Sequence, residues 1–173
     1  MKKLILGGAR SGKSRYAEQQ LETIAQQHGQ QLIYVATATA GDREMARRIQ
    51  YHQQRRASQW QLVEEPVELA SRLQTYNDKR YGILIDCLTL WLSNALIRDD
   101  WAELKASFIK AVDESEATIF LVSNEVGSGI VPLGELSRQF VDESGWLHQE
   151  LATLCQQVTL VVAGLPLVIK STR

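Results

Sequence analysis

A lysine and a serine that follow a glycine-rich turn are the residues best suited to phosphate chemistry. They close the pattern G-x-x-x-x-G-K-[ST], which comes directly after an apolar run at residues 4–6 and opens a segment of helix-forming composition. Glycines let such a loop turn its backbone N–H groups towards phosphate oxygens, and the helix that follows adds its positive end. We therefore predict a phosphate-binding loop made of Gly7, Gly8, Ala9, Arg10, Ser11, Gly12, Lys13 and Ser14.

Within this loop two side chains have distinct roles. Lys13 supplies a mobile positive charge to the β and γ phosphates, and the Ser14 hydroxyl is a ligand for Mg²⁺. A second Mg²⁺ ligand is predicted at Asp86, because an acid at the end of an apolar strand is the usual second motif of P-loop NTPases. Glu125 is a further candidate, since it follows the next predicted strand and could face the same cleft.

A histidine on a basic helix is the other candidate for chemistry. In the helix predicted at residues 42–56, His52 shares one face with Met45, Ile49 and Arg56. A histidine on an apolar stripe is ordinarily a core residue, and a run of arginines is ordinarily a solvated face. Beside a phosphate loop the same arginines could hold a nucleotide's phosphates; they are Arg43, Arg47, Arg48, Arg55 and Arg56.

Length and composition narrow the class of protein. The 173 residues are 45% apolar and 23% charged, which favours a single globular domain over residues 1–173. A net charge of −1 provides no positive field for nucleic acid. Cys87 and Cys155 lack metal-ligand spacing and indicate buried, reduced thiols. No apolar run suits a secretory signal or a membrane span, so we expect a cytoplasmic protein.

The order of predicted elements indicates an α/β fold. Apolar strands alternate with helices along the chain, which predicts a mainly parallel sheet with helices on both faces. A tight turn at residues 164–166 joins the last two strands, so the C-terminal strand should be an antiparallel edge strand. The helix predicted at residues 136–155 contains Gly145 and could break there.

Several motifs together resemble one family, the bifunctional adenosylcobinamide kinase/adenosylcobinamide-phosphate guanylyltransferases. The resemblance spans nearly the whole chain in the right order, and its most specific block is Asn-Glu-Val-Gly-x-Gly-Ile-Val-Pro at residues 124–132. The other motifs are the phosphate loop, Arg48-Ile49-x-x-His52 with Arg56, Trp60 with Glu64-Glu65-Pro66, Asp86-Cys87-Leu88-Thr89-x-Trp91, and the segment at residues 161–166.

The resemblance implies a RecA-like P-loop NTPase sandwich with two activities. The enzyme would phosphorylate adenosylcobinamide with ATP or GTP, and then transfer GMP from GTP to adenosylcobinamide phosphate through a guanylyl-histidine. That histidine falls on His52, and nucleotide contacts are implied at Arg48, Arg55, Arg56 and Glu64. Mg²⁺ as cofactor, a corrinoid as the small-molecule partner and a homotrimeric assembly are implied in the same way.

The chain departs from the family pattern at two positions, and its motifs also fit two other functions. His148 stands where the family usually has Asn, which we interpret as a tolerated polar replacement, and Val141 stands where Arg is common. One alternative is a P-loop kinase without a transferase step, in which His52 only packs. The other is a nucleotide-binding switch or assembly subunit, in which Gly127 and Gly129 flank a moving loop.

Overall fold

Alternating strands and helices make up this protein, of which the computed structural model describes residues 1–38 and 59–172. The described strands are β1 (Lys2–Gly7), β2 (Gln31–Ala36), β3 (Trp60–Glu64), β4 (Tyr81–Asp86), β5 (Thr118–Asn124), β6 (Gln157–Val162) and β7 (Leu165–Ser171). The described helices are α1 (Lys13–His28), α2 (Leu69–Thr75), α3 (Leu88–Ala95), α4 (Trp101–Glu114) and α5 (Glu135–Leu154). The helix predicted at residues 42–56 lies outside the described residues, and so do Arg48, His52, Arg55 and Arg56.

One sheet contains all seven described strands in the order β3-β2-β4-β5-β1-β6-β7. Neighbouring strands from β3 to β6 are parallel, whereas β7 pairs antiparallel with β6. Ala163 and Gly164 form the turn between β6 and β7 with φ values of 52° and 81°. Positive φ at both central residues matches the twist of a two-residue hairpin. The predicted mainly parallel sheet with an antiparallel C-terminal edge is therefore confirmed.

Side chains along the strands alternate between two apolar cores, one on each face of the sheet. In β1, for example, Ile5 points to the core beneath α1, whereas Leu4 points to the core beneath the other helices. Because successive strand residues face opposite sides, each buried strand contributes to both layers. The described structure thus has three layers, with α1 on one face and α2, α3, α4 and α5 on the other.

Local sequence signals set the ends of several helices. Helix α1 ends at His28, and Gly29 follows in the left-handed conformation with φ 64°. Helix α2 begins at Leu69, and just before it Glu65 accepts hydrogen bonds from the N–H groups of Val67 and Glu68. The break considered at Gly145 was wrong: α5 runs through this residue without interruption.

Candidate nucleotide site

The predicted phosphate loop connects the carboxyl end of β1 to the amino end of α1. Arg10 has φ 57° and Gly12 has φ 94°, and only glycine takes the second conformation without strain. A Cβ on Gly7 would lie 2.5 Å from both Ser11 Oγ and the carbonyl oxygen of Val161. Glycine is therefore required at both ends of the loop. The loop lies between a strand and a helix, as the sequence predicts.

Two neighbouring segments hold the loop in place through its backbone. The N–H of Gly164, in the β6–β7 turn, donates to the carbonyl oxygen of Ser11 at 2.8 Å. The N–H of Glu125, just after β5, donates to the carbonyl oxygen of Gly7 at 3.1 Å. The C-terminal hairpin and the end of β5 are thus part of the framework that positions the phosphate loop.

Lys13 is a buried cation at the first position of α1. Its side chain is 8% exposed, and its Nζ donates to the carbonyl oxygen of Gly8 at 3.1 Å. Burial lowers the pKa of Lys13, while the nearby Asp86 and Cys87 act in the opposite direction. A charge removed from water interacts more strongly with an anion, so Lys13 is well placed to bind phosphate. Ser14 follows it in the first turn and is partly buried.

Asp86 ends β4, and its carboxylate is held by a tyrosine from the adjacent strand. The Tyr34 hydroxyl donates to Asp86 Oδ2 at 2.7 Å. The next residue, Cys87, is held by Thr37, whose Oγ1 accepts from the Cys87 N–H at 2.8 Å and donates to the Cys87 carbonyl oxygen at 2.7 Å. These bonds orient the acid at the same edge of the sheet as the phosphate loop. Tyr34 and Thr37 were not identified from the sequence, although both lie in or directly after a predicted strand.

The backbone of Glu125 bonds to the phosphate loop, whereas its carboxylate bonds to residues of the segment that follows it. Glu125 Oε1 accepts hydrogen bonds from the N–H of Gly127 at 2.6 Å and from Ser128 Oγ at 3.3 Å. This arrangement closes a local turn, and a Cβ on Gly127 would lie only 3.2 Å from the same oxygen. A role of Glu125 in metal or acceptor binding stays a prediction.

The two adjacent glutamates after β3 differ in their environment. Glu64, the predicted nucleotide contact, is exposed at the carboxyl end of β3. Glu65 is 7% exposed and bonds the N–H groups of Val67 and Glu68, and its Oε2 accepts from Arg72 Nε at 2.9 Å. Burial raises the pKa of Glu65, but the backbone donors and Arg72 outweigh it and the pKa is lowered. Glu65 thus stabilises the turn that precedes α2 and pairs with Arg72 of that helix.

A series of buried polar side chains, not predicted from the sequence, connects α5 to the end of β5. His148 Nε2 lies 2.7 Å from Ser123 Oγ, and Ser123 Oγ lies 3.2 Å from Thr89 Oγ1. Thr89 Oγ1 in turn accepts from the N–H of Asn124 at 2.7 Å. Burial lowers the pKa of His148, which the charge of Glu125 partly offsets. The replacement of Asn by His was the one sequence signal for this connection.

Both cysteines are buried free thiols, as predicted. Burial raises the pKa of Cys87 to about 11 and that of Cys155 to about 11. A thiol that stays protonated at neutral pH is a poor nucleophile and a poor metal ligand.

In residues 1–38 and 59–172, no group of three or more His, Cys, Asp or Glu is placed to hold a metal ion. In the same two ranges, no helix combines the length and apolar character needed to cross a membrane.

A cavity of about 900 Å³ lies away from the phosphate loop, near the carboxyl end of α1 and the amino ends of β2 and β3. Polar residues dominate its lining, and Trp60 Nε1 donates to Glu22 Oε1 there at 2.8 Å. Because ligands of open α/β sheets bind at the carboxyl ends of the strands, we place the candidate site at the loop and not in this cavity.

Comparisons of the fold identify its class. Flagellar accessory protein FlaH from Methanocaldococcus jannaschii has a TM-score of 0.55 at 14% identity, over 99% of this chain and 78% of that one. A KaiC-like protein from the hyperthermophilic archaeon Pyrococcus horikoshii has a TM-score of 0.50 at 18% identity, over 92% of this chain and 69% of that one. At such identities the likeness shows the fold alone, which is that of the RecA-like P-loop ATPases.

Sequence comparisons identify the family. The model of the cobinamide kinase / cobinamide phosphate guanyltransferase family matches residues 3–169. The bifunctional adenosylcobalamin biosynthesis protein CobP of Pseudomonas aeruginosa is 50% identical over 173 residues, with 98% of each chain covered. The bifunctional adenosylcobalamin biosynthesis protein CobU of Escherichia coli is 36% identical, over 96% of this chain and 98% of that one. The chain therefore belongs to the cobinamide kinase / cobinamide phosphate guanyltransferase family.

Proposed function

We propose that this protein phosphorylates adenosylcobinamide with ATP or GTP, and then transfers GMP from GTP to adenosylcobinamide phosphate through a guanylyl group on His52. The observation that carries the proposal is the phosphate loop with Lys13 buried near Asp86, in a chain that matches this family over residues 3–169. The final product is adenosylcobinamide-GDP.

For the kinase step, the backbone N–H groups of the loop and the Lys13 ammonium bind the nucleotide's phosphates. The acceptor is the aminopropanol hydroxyl of adenosylcobinamide. Its oxygen forms a bond to the γ-phosphorus, the bond between that phosphorus and the β-γ bridging oxygen breaks, and the hydroxyl proton is released. Glu125 is our candidate for positioning this hydroxyl, because its backbone is bonded to Gly7 at the start of the loop.

The residues at the end of β4 and the start of α1 suit Mg²⁺. Mg²⁺ in such sites is held by one or two protein oxygens together with substrate phosphates and water, so a complete cluster of protein ligands is not needed. Asp86 offers a carboxylate that Tyr34 orients, and Ser14 offers a hydroxyl in the first turn of α1. When bound, Mg²⁺ neutralises charge on the phosphate oxygens.

For the transferase step, a neutral His52 nitrogen forms a bond to the α-phosphorus of GTP, and pyrophosphate leaves. A phosphate oxygen of adenosylcobinamide phosphate then attacks the same phosphorus, and the nitrogen–phosphorus bond breaks. We hypothesise that Arg48, Arg55 or Arg56 keeps His52 unprotonated by charge repulsion and stabilises the phosphoryl oxygens. Glu64, exposed at the end of β3, is proposed as a further nucleotide contact.

We further propose that the 173 residues act as one domain and assemble as a homotrimer in the cytoplasm, without nucleic acid. Several apolar side chains of the edge strand β7 are at least half exposed, which supports self-association. They are Leu165, Leu167, Val168 and Ile169. A long apolar edge strand tends to pair with another chain, because its outer N–H and C=O groups have no partner strand.

The test is to incubate the purified protein with adenosylcobinamide, Mg²⁺ and either ATP or GTP, and to analyse the corrinoid by mass spectrometry. We expect adenosylcobinamide phosphate with either nucleotide and adenosylcobinamide-GDP with GTP only. A His52→Ala variant should stop at the phosphate. If the corrinoid stays unmodified while nucleotide binding is measurable, the proposal is wrong. If His52→Ala still forms the GDP product, the guanylyl-histidine is wrong and the kinase assignment stands.

A further inference from the structure

The buried connection from α5 to the end of β5 lies next to the phosphate loop, yet none of the roles described above uses it. Its members are His148, Ser123, Thr89 and the N–H of Asn124, joined by contacts of 2.7, 3.2 and 2.7 Å. The next residue, Glu125, donates its N–H to Gly7. Three side-chain contacts, the peptide link from Asn124 to Glu125 and the bond to Gly7 therefore connect α5 to the first residue of the phosphate loop.

Burial determines what kind of role this histidine can have. A histidine 2.7 Å from a serine hydroxyl is an arrangement that activates serine nucleophiles in other enzymes. Here Ser123 is only 1% exposed and His148 only 9%, so the serine hydroxyl has no access to a substrate. The pair consequently acts on protein groups and not on reacting atoms.

The hydrogen bonds around Ser123 and His148 fix the backbone at the end of β5. Buried polar groups need partners, and a hydroxyl that loses its partner turns to find another. Ser123 Oγ lies between His148 Nε2 and Thr89 Oγ1, and Thr89 Oγ1 is the acceptor for the N–H of Asn124. The imidazole thus sets the position of both hydroxyls, and through them the backbone where β5 ends and the Glu125 segment begins.

We propose that His148 is a positioning residue: it fixes the end of β5 through Ser123 and Thr89, and thereby places Glu125 against the phosphate loop for phosphoryl transfer. The kinetic part of this inference rests on the proposed kinase function. The structural part, the coupling of His148 to the Asn124 backbone, is independent of any activity.

Three variants test the proposal. His148→Leu replaces the imidazole with an apolar side chain that cannot bond to Ser123. His148→Gln can place an amide nitrogen near the position of Nε2. Ser123→Ala breaks the same connection from its other side and serves if His148→Leu does not fold. As a control, Thr153→Val removes a hydroxyl of α5 that donates to the carbonyl oxygen of Glu150 in its own helix.

The first readout is amide hydrogen exchange at Asn124, followed by NMR in the full-length protein. We expect exchange to be about tenfold faster in His148→Leu and Ser123→Ala, and close to wild type in His148→Gln and Thr153→Val. Unchanged exchange in both disrupting variants overturns the proposal, whether or not the protein is active.

The second readout is the kinetics of phosphoryl transfer to adenosylcobinamide. We expect kcat to fall about tenfold in His148→Leu and Ser123→Ala with the nucleotide KM unchanged, because small displacements at a reacting centre are costly to rate. His148→Gln should keep most of the wild-type kcat. A double variant that combines His148→Leu with Ser123→Ala should have a kcat no lower than that of the slower single variant. A loss of thermal stability with unchanged kcat, or no recovery with Gln, contradicts the positioning role. An inactive wild type refutes instead the kinase function.

Discussion

At the level of single residues, we propose that Lys13 provides the charge on which phosphate binding depends. Replacing it with Met keeps the aliphatic part of the side chain and removes the buried cation. We expect kcat for phosphoryl transfer to fall by about 10²–10³-fold, because electrostatic stabilisation in a site shielded from water is worth several kcal/mol. Steady-state kinetics of the purified variant measure this.

The matched control for that experiment is Lys110→Met. Lys110 is exposed on α4 and forms an ion pair with Glu114 at 3.8 Å, far in sequence from the phosphate loop. Because exposed ion pairs contribute little to the free energy of unfolding, Lys110→Met should leave the stability nearly unchanged. Its kcat for phosphoryl transfer should change by less than a factor of about two. Equal losses in the two lysine variants would contradict the role of Lys13.

Tyr34 offers a second test at this level, since its hydroxyl orients the Asp86 carboxylate. The Tyr34→Phe variant should need about tenfold more Mg²⁺ for half-maximal activity, because losing a partner that orients a metal ligand typically costs about 10–100-fold in affinity. A magnesium titration of the kinase activity measures the shift. Tyr76→Phe, which removes an acceptor of Gln61 Nε2, is the control and should leave the magnesium dependence unchanged.

At the level of secondary-structure elements, Glu65 links helix stability to pH. Because the pKa of Glu65 is lowered from its ordinary value of 4.5, its stabilising contribution is complete above about pH 4.5 and is lost as the pH falls through the folded-state pKa. Glu65→Gln should reduce the free energy of unfolding at pH 7 by about 1–3 kcal/mol. Urea titrations from pH 3 to 7 should show this difference shrinking towards acid; a difference independent of pH contradicts the account.

Two glycines allow a further prediction about helices. A Cβ at Gly145 inside α5 meets nothing within 4 Å, so Gly145→Ala should raise the free energy of unfolding by about 0.5–1 kcal/mol. Gly29, just after α1, is equally open but has φ 64°, so Gly29→Ala should lower stability by about 1 kcal/mol. Stabilisation by both substitutions, or by neither, contradicts the assigned backbone roles.

At the level of the whole molecule, local patterns in the sequence predicted much of the fold. The phosphate loop and the acid at the end of β4 follow from residue type and spacing, because both depend on neighbours in the chain. By contrast, Tyr34 meets Asp86, and His148 meets Ser123, only after distant segments pack together. Although Asp86 and His148 were noted in the sequence, nothing in the local sequence identifies Tyr34 or Ser123 as their partners.

The exposed edge strand β7 leads to a prediction about assembly. Leu167 is 61% exposed, and we expect it to be covered by another copy of the chain in the proposed trimer. Sedimentation equilibrium should give three times the chain mass of 19.5 kDa, and Leu167→Lys should shift the distribution towards monomer. A monomeric wild type refutes the trimer, and an unchanged trimer in the variant places the interface elsewhere.

The most direct test of the two-activity account is to look for a covalent guanylyl-enzyme. Purified protein is incubated with Mg²⁺ and GTP labelled in the α-phosphate, denatured, and tested for acid-labile, alkali-stable label. Of the three histidines in the chain, His52 should carry the label, so wild type and the exposed-site control His28→Ala retain it and His52→Ala loses it. Adding adenosylcobinamide phosphate before denaturation should transfer the label to the corrinoid. An unlabelled wild type that still binds GTP, or a labelled His52→Ala, would contradict the account.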